Sequence, residues 1–184
     1  MAKQFLSLLA FVAFLILAVG FNSTSQPNKL RTATGHLTEP AFRLMQQLLQ
    51  PFATAKLNDT LILKYDFNKD DCWNITDQRK DEDIQPLVLS SKQRIQTAAL
   101  TRPNVSIFRF REPGNNLNKL IKWDESILID STRQLYQLLF KKRTECGSSI
   151  IIFPDKRFIL LYSDSHFEAL DLSKKQMEEL INKK

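Results

Sequence analysis

From residue 40 to the C-terminus the apolar positions alternate between a helical period and a strand period. Phe42, Met45, Leu48, Leu49 and Phe52 recur at three- and four-residue spacing, which predicts a helix over 41–57 kinked at Pro51. Residues 61–67, Leu-Ile-Leu-Lys-Tyr-Asp-Phe, read as a strand that is apolar on both faces at its start and therefore central in a sheet. After a polar stretch, Ile84, Leu87, Val88, Ile95, Ala98 and Ala99 mark a second helix that ends before Arg102-Pro103. Residues 105–110 predict a second strand, Leu117, Leu120 and Ile121 a short helix, and residues 127–130 a third strand. Thr132 is expected to cap a helix carrying Leu135, Leu138 and Leu139. Strands over 149–153 and 157–162 are joined by the tight turn Pro154-Asp155-Lys156. Ser173 and Gln176 form a capping-box pattern that opens a C-terminal helix with Met177, Leu180 and Ile181 inward.

Strands separated by helices need parallel crossovers, whereas two strands joined by a three-residue turn must be antiparallel. The expected architecture is α/β: a mixed five-stranded sheet with helices on both faces, in three layers, over residues 40–184.

The remaining composition narrows the function. The chain has 184 residues, 43% hydrophobic and 25% charged, which suits one folded domain. Its net charge of +6 is spread along the chain, so nucleic acid is not expected as a partner. Phe108-Arg109-Phe110-Arg111 interleaves aromatic and basic residues, which strand alternation explains without a nucleic acid ligand. The four glycines are too scattered for a phosphate-binding loop or a dinucleotide fingerprint, and no cofactor is expected.

The N-terminus carries Lys3 followed by an apolar run over 5–21 whose one polar member is Ser7, and then Ala18-Val19-Gly20. This is the layout of a signal peptide, over residues 1–20, with a short membrane anchor as the alternative. Both place the rest of the chain outside the cytoplasm, in the periplasm or beyond, where a disulfide persists. Residues 21–39 are polar and unpatterned and read as a tether. Asn-x-Ser/Thr sequons stand at Asn22, Asn58, Asn74 and Asn104, and they matter only in a host that glycosylates exported proteins.

Two stretches carry a resemblance. The strand 61–67 is followed by Asn68-Lys69-Asp70-Asp71-Cys72, and the segment 127–131 leads through a helix to Cys146-Gly147-Ser148-Ser149, a strand, a turn and a strand. In this order the chain resembles the thioredoxin-like superfamily, and within it the exported redoxins of the TlpA/ResA type, which are thiol–disulfide oxidoreductases. The resemblance implies a thioredoxin-like three-layer sandwich and places Cys72 where the family carries the first cysteine of its Cys-x-x-Cys motif. Here that motif reads Cys72-Trp73-Asn74-Ile75, and the family's cis-proline position reads Ser148. The redox site is thus degenerate, and a two-cysteine cycle within one motif is excluded. The family comparison further implies that the loop before the fourth strand brings Cys146 near Cys72, with Trp73, Gly147 and Ser148 as the loop that would face a substrate.

Three readings of the cysteine pair stay open: a structural disulfide, a redox-active pair that attacks and resolves across the cleft, or two thiols that never meet. Residues 66–83 hold seven acids and three bases, a poor setting for a thiolate at Cys72. Cys146 follows Lys141-Lys142-Arg143, with Glu145 partly offsetting them, so charge favours Cys146 as the attacking sulfur. The expected function is a limited thiol–disulfide exchange role with a thiol or disulfide partner, such as another exported protein. The alternative is a non-catalytic binding or structural module.

Other chemistries fit less well. Cys72 lacks the preceding proline and hydroxyl of a peroxidase site, and no Gly-x-Ser-x-Gly elbow exists. His36 falls in the tether and His166 in a loop after the last strand, both expected at the surface, and no zinc spacing links them to the cysteines. The acidic loop has no EF-hand spacing and is expected to be solvated. No metal is expected.

Overall fold

The computed structural model describes residues 31–53, 56–68, 76–115 and 118–183. Along the chain run β1 (Arg31–His36), α1 (Glu39–Leu49), β2 (Thr60–Asp66), α2 (Asp81–Thr101) and β3 (Val105–Arg111). They are followed by α3 (Asn118–Trp123), β4 (Ile127–Ile129), β5 (Ser148–Ile152), β6 (Arg157–Tyr162) and α4 (Lys174–Asn182).

The strands form one sheet in the order β1-β6-β5-β2-β3-β4. β2 pairs in parallel with β3, and β3 with β4, while β2–β5, β5–β6 and β6–β1 are antiparallel. The four strands β6-β5-β2-β3 carry the arrangement that the resemblance implies: a parallel β-α-β unit through α2, closed on its other side by an antiparallel hairpin. The fold is α/β and thioredoxin-like.

The strand count differs from the sequence expectation, with six strands among the described residues in place of five. The added strand lies inside the segment read as a tether, since residues 31–36 pair along their whole length with β6. An edge strand has one neighbour and needs no apolar outer face, so Arg-Thr-Ala-Thr-Gly-His shows no alternation that marks it in advance. Gly35 has a packing reason: a Cβ there would come 2.7 Å from the ring of Phe158, its cross-strand partner. His36 is exposed as expected, but on this strand and not on a tether.

β2 is central, as its doubly apolar start predicts. Alternation sends Leu61, Leu63, Tyr65 and Phe67 to one face, where they pack with Phe108, Phe110, Ile150 and Ile152 against Met45 and Leu49 of α1. The opposite face holds Ile62, Ile151, Ile159 and Leu161 under Ala98 of α2 and Met177, Leu180 and Ile181 of α4. Helices therefore cover both faces. Thr38 caps α1 by accepting from the Ala41 backbone N–H, and the helix stops at Leu49, short of the expected 57. Pro51 has no N–H to continue the ladder, and the chain leaves through a 3-10 turn at Gln50–Phe52.

The helix expected after Thr132 is present over 134–140, with Tyr136–Phe140 in π geometry. Its capping acceptor is Asp130, whose Oδ2 takes the Tyr136 backbone N–H at 3.0 Å. The expected capping box of α4 is present, with Ser173 and Gln176 bonding each other's backbone N–H.

Candidate functional site

The carboxyl ends of β2 and β3 meet the start of β5 and the end of β6 at one end of the sheet. Register pairs Tyr65 with Ser148, which sets Gly147 and Cys146 alongside the chain as it leaves β2. Cys146 is half-buried and disulfide-bonded. The chain contains two cysteines, so its one intramolecular partner is Cys72. Cys72 and Trp73 lie outside the described residues, as does the apolar run over 5–21.

The backbone at Cys146 and Gly147 turns through the left-handed region, with φ of 57° and 80°. A non-glycine residue holds such a conformation only where its surroundings enforce it. Thr144 Oγ1 donates to the Gly147 carbonyl at 3.0 Å and accepts from the Ser163 backbone N–H at 3.3 Å. The Asp164 backbone N–H donates to the same Gly147 carbonyl at 3.2 Å. Lys64 Nζ donates to the Cys146 carbonyl at 3.1 Å and to the Asp164 carbonyl. Ser148 is buried, with its Oγ 2.7 Å from Thr144 Oγ1, so its side chain braces the turn. Gly147 is required twice over: its φ suits glycine, and a Cβ there would fall 2.7 Å from Asp66 Oδ1 and 2.8 Å from Lys64 Nζ.

Beneath the turn lies a charged layer. Lys64 and Asp66 share a face of β2, and Arg109 and Arg111 occupy the matching positions of β3. Arg109 pairs with Asp124, which Ser126 also bonds. Burial draws the Arg111 pKa below the ordinary guanidinium range, opposed by the Asp77 carboxylate. The Phe-Arg-Phe-Arg stretch is therefore strand alternation, as expected, although Arg111 ends buried and not in solvent.

On the other face, Tyr65 donates to Asp130 Oδ2 at 3.2 Å. Burial, followed by the charge and hydrogen bond of Asp130, pushes its hydroxyl far above the ordinary tyrosine value.

Glu112, one residue past β3, is buried and joins the two arms of the site. Its Oε2 accepts from the Asn68 backbone N–H at 3.2 Å and from both terminal nitrogens of Arg143, Nη1 at 2.9 Å. The Arg143 guanidinium also lies 5.2 Å from the Phe67 ring centroid, over buried aromatic surface. Outside the turn, a cleft of about 630 Å³ is lined by Arg31, Lys142, Arg143, Glu145, Tyr162 and Ser163, a basic surround for the Cys146 segment.

His166 is exposed, and its carbonyl accepts from Arg94. Among the described residues no group of three His, Cys, Asp or Glu side chains is placed to hold a metal, and no helix is long and apolar enough to cross a membrane. Of the residues expected in the site, Cys146, Gly147 and Ser148 meet in one turn. Lys64, Asp66, Glu112 and the second role of Arg143 were not anticipated. Lys64 and Asp66 did carry a signal, two charges at alternate positions inside an otherwise apolar central strand.

No family model matches the chain, and no curated protein matches it. Among solved structures it is similar to mycobacterial DsbF in mixed oxidised and reduced forms, with 8% identity, 67% of this chain, 82% of that chain and a TM-score of 0.40. It is also similar to a secreted Mycobacterium tuberculosis disulfide oxidoreductase homologous to E. coli DsbE, with 9% identity, 68% of this chain, 82% of the other and a TM-score of 0.37. The assignment of the fold rests on the strand order itself.

Proposed function

We propose that the chain is an exported thioredoxin-like protein that performs a limited thiol–disulfide exchange through Cys72 and Cys146. The observation that carries this reading is a disulfide at Cys146 in a half-buried, basic turn at the end of the central strands. In the reducing direction, the Cys146 thiolate attacks a partner disulfide, forming a mixed disulfide and releasing one partner thiolate. The Cys72 thiolate then attacks the Cys146 sulfur and releases the second partner thiolate. Two electrons pass to the partner, and the two protons of the Cys72 and Cys146 thiols end on the partner's thiols. Lys141, Lys142 and Arg143 favour the thiolate at Cys146. A donor dithiol, oxidised in the reverse sequence, restores the starting state.

The compartment of this reading is extracytoplasmic, with residues 1–20 acting as a signal peptide or an anchor. The partner is another exported protein carrying a thiol or a disulfide. The test is turnover of a disulfide substrate by the purified full chain beside Cys146→Ser. Turnover in the first and none in the second supports exchange, and equal turnover ends the reading.

One observation favours a second reading, a structural disulfide in a non-catalytic module. The turn at Cys146 is fixed by hydrogen bonds from Thr144, Asp164 and Lys64, a rigidity suited to a permanent cross-link. A chain that shows no turnover, yet loses stability on reduction, belongs to this class.

A further inference from the structure

We infer that Glu112 is a positioning residue for the disulfide: with Arg143 it holds the two cysteine-bearing arms together and so raises the tendency of the reduced thiols to close. The inference rests on the pairing of Cys72 with Cys146 and not on exchange activity, so it holds for a structural cross-link too.

Glu112 is the meeting point of both arms. Its own backbone N–H donates to the Asp66 carbonyl at 2.9 Å, and its carboxylate takes the Asn68 N–H. Asn68 is four residues before Cys72. The same carboxylate takes the Arg143 fork, three residues before Cys146, and Arg133 Nη2 stands 3.7 Å from its other oxygen. Two Arg143 donors converge on one oxygen of a buried carboxylate, which fixes the guanidinium more closely than a single contact between two exposed ions. The carboxylate joins segments 75 residues apart in sequence, Asn68 and Arg143.

The physical consequence follows from linkage. The ease of closing a dithiol depends on the effective concentration of one thiol at the other. When the disulfide is closed, the covalent bond already restrains both arms, and the clamp forms at small entropic cost. When it is open, the clamp adds its restraint to the hydrogen bonds that already fix the Cys146 turn. Clamp and disulfide therefore favour each other by the same factor, as any two coupled equilibria must. A carboxylate that supported only the folded core would stabilise the oxidised and reduced forms alike.

The test equilibrates the full chain with oxidised and reduced dithiothreitol. The protein dithiol gives two electrons and two protons to the cyclic disulfide of the reagent and becomes the Cys72–Cys146 disulfide. Acid quenching, alkylation and mass measurement give the closed fraction. Glu112→Ala and Arg143→Met are expected to lower the closing constant by about tenfold, the size of coupling usual between contacting groups. Arg143→Lys, which keeps the charge and loses the fork, should fall between Arg143→Met and the parent. Arg143 is 38% exposed on its side chain, so its variants test the clamp even where Glu112→Ala folds poorly. Closing constants within about twofold of the parent in both Arg143→Met and the foldable Glu112 variants would overturn the inference. A chain without substrate turnover that still shows the tenfold shift would sink the exchange reading and leave this one intact.

Discussion

Lys64 Nζ stands 3.2 Å from Asp66 Oδ1 on the same face of β2, with the two side chains 4% and 3% exposed. The pair sits directly under the turn that carries Cys146. Such a pair gains little net stability over well-packed apolar residues, but removing one partner leaves a buried charge uncompensated. Lys64→Met should therefore cost about 3–5 kcal/mol in urea unfolding. Part of that cost comes from the Cys146 and Asp164 carbonyls, which lose their donor. The double variant Lys64→Met/Asp66→Leu should cost less than Lys64→Met alone. Strictly additive costs would show that the two charges are not coupled.

The Tyr65 hydroxyl gives a stability change at alkaline pH. Its folded pKa is raised above the unfolded value of about 10, so the folded state prefers the protonated phenol. That preference contributes full stability below the unfolded value and is lost as pH rises above it. Unfolding midpoints should drop above pH ~10, and Tyr65→Phe should flatten the drop while lowering stability at neutral pH, because Asp130 loses a hydrogen bond. A phenolate signal from Tyr65 that appears without unfolding would contradict the burial argument.

Gly147→Ala tests the turn. The left-handed backbone alone costs an alanine about 1–2 kcal/mol, and the methyl group would also run into the Tyr65 backbone carbonyl and the ends of Asp66 and Lys64. Calorimetry should show a loss above that range, and Gly35→Ala, where the obstacle is the movable end of the Phe158 ring, should lose less.

The cross-link itself should be worth about 4–5 kcal/mol on the chain-entropy model for a loop of this length. For a chain of this size that corresponds to a midpoint about 10–15 °C lower in reductant. Cys146→Ser should melt at the lower temperature with or without reductant. An unchanged midpoint in the parent would mean that the cross-link adds nothing.

Much of the architecture was legible because periodicity reports which face of an element meets the core. Leu61, Ile62 and Leu63 declared a strand buried on both sides, and the Ser173–Gln176 box declared the last helix. What stayed hidden has physical causes. β1 borrows its stability from β6, so its own residues need no pattern. The turn after β4 takes its cap from Asp130, two residues before the Thr132 that propensity favours, because Asp130 is already fixed there by the Tyr65 hydroxyl. Within the site, the resemblance alone pointed to the loop before the fourth strand, where Cys146 and Gly147 stand. The Glu112 clamp was not, since Glu112, Asn68 and Arg143 carry no spacing signal and meet only in three dimensions.

β1 has one more effect, on solubility. Without it, β6 would present Arg-Phe-Ile-Leu-Leu-Tyr as a bare rim, a short, weakly charged, β-branched and aromatic run of the kind that seeds intermolecular stacking. The strand that covers it is Arg-Thr-Ala-Thr-Gly-His, whose exposed outer rim is polar, charged at one end and interrupted by glycine. Among the described residues the sheet thus ends on a poor template for self-association, and the segment that looked like a leash covers a strand prone to stacking.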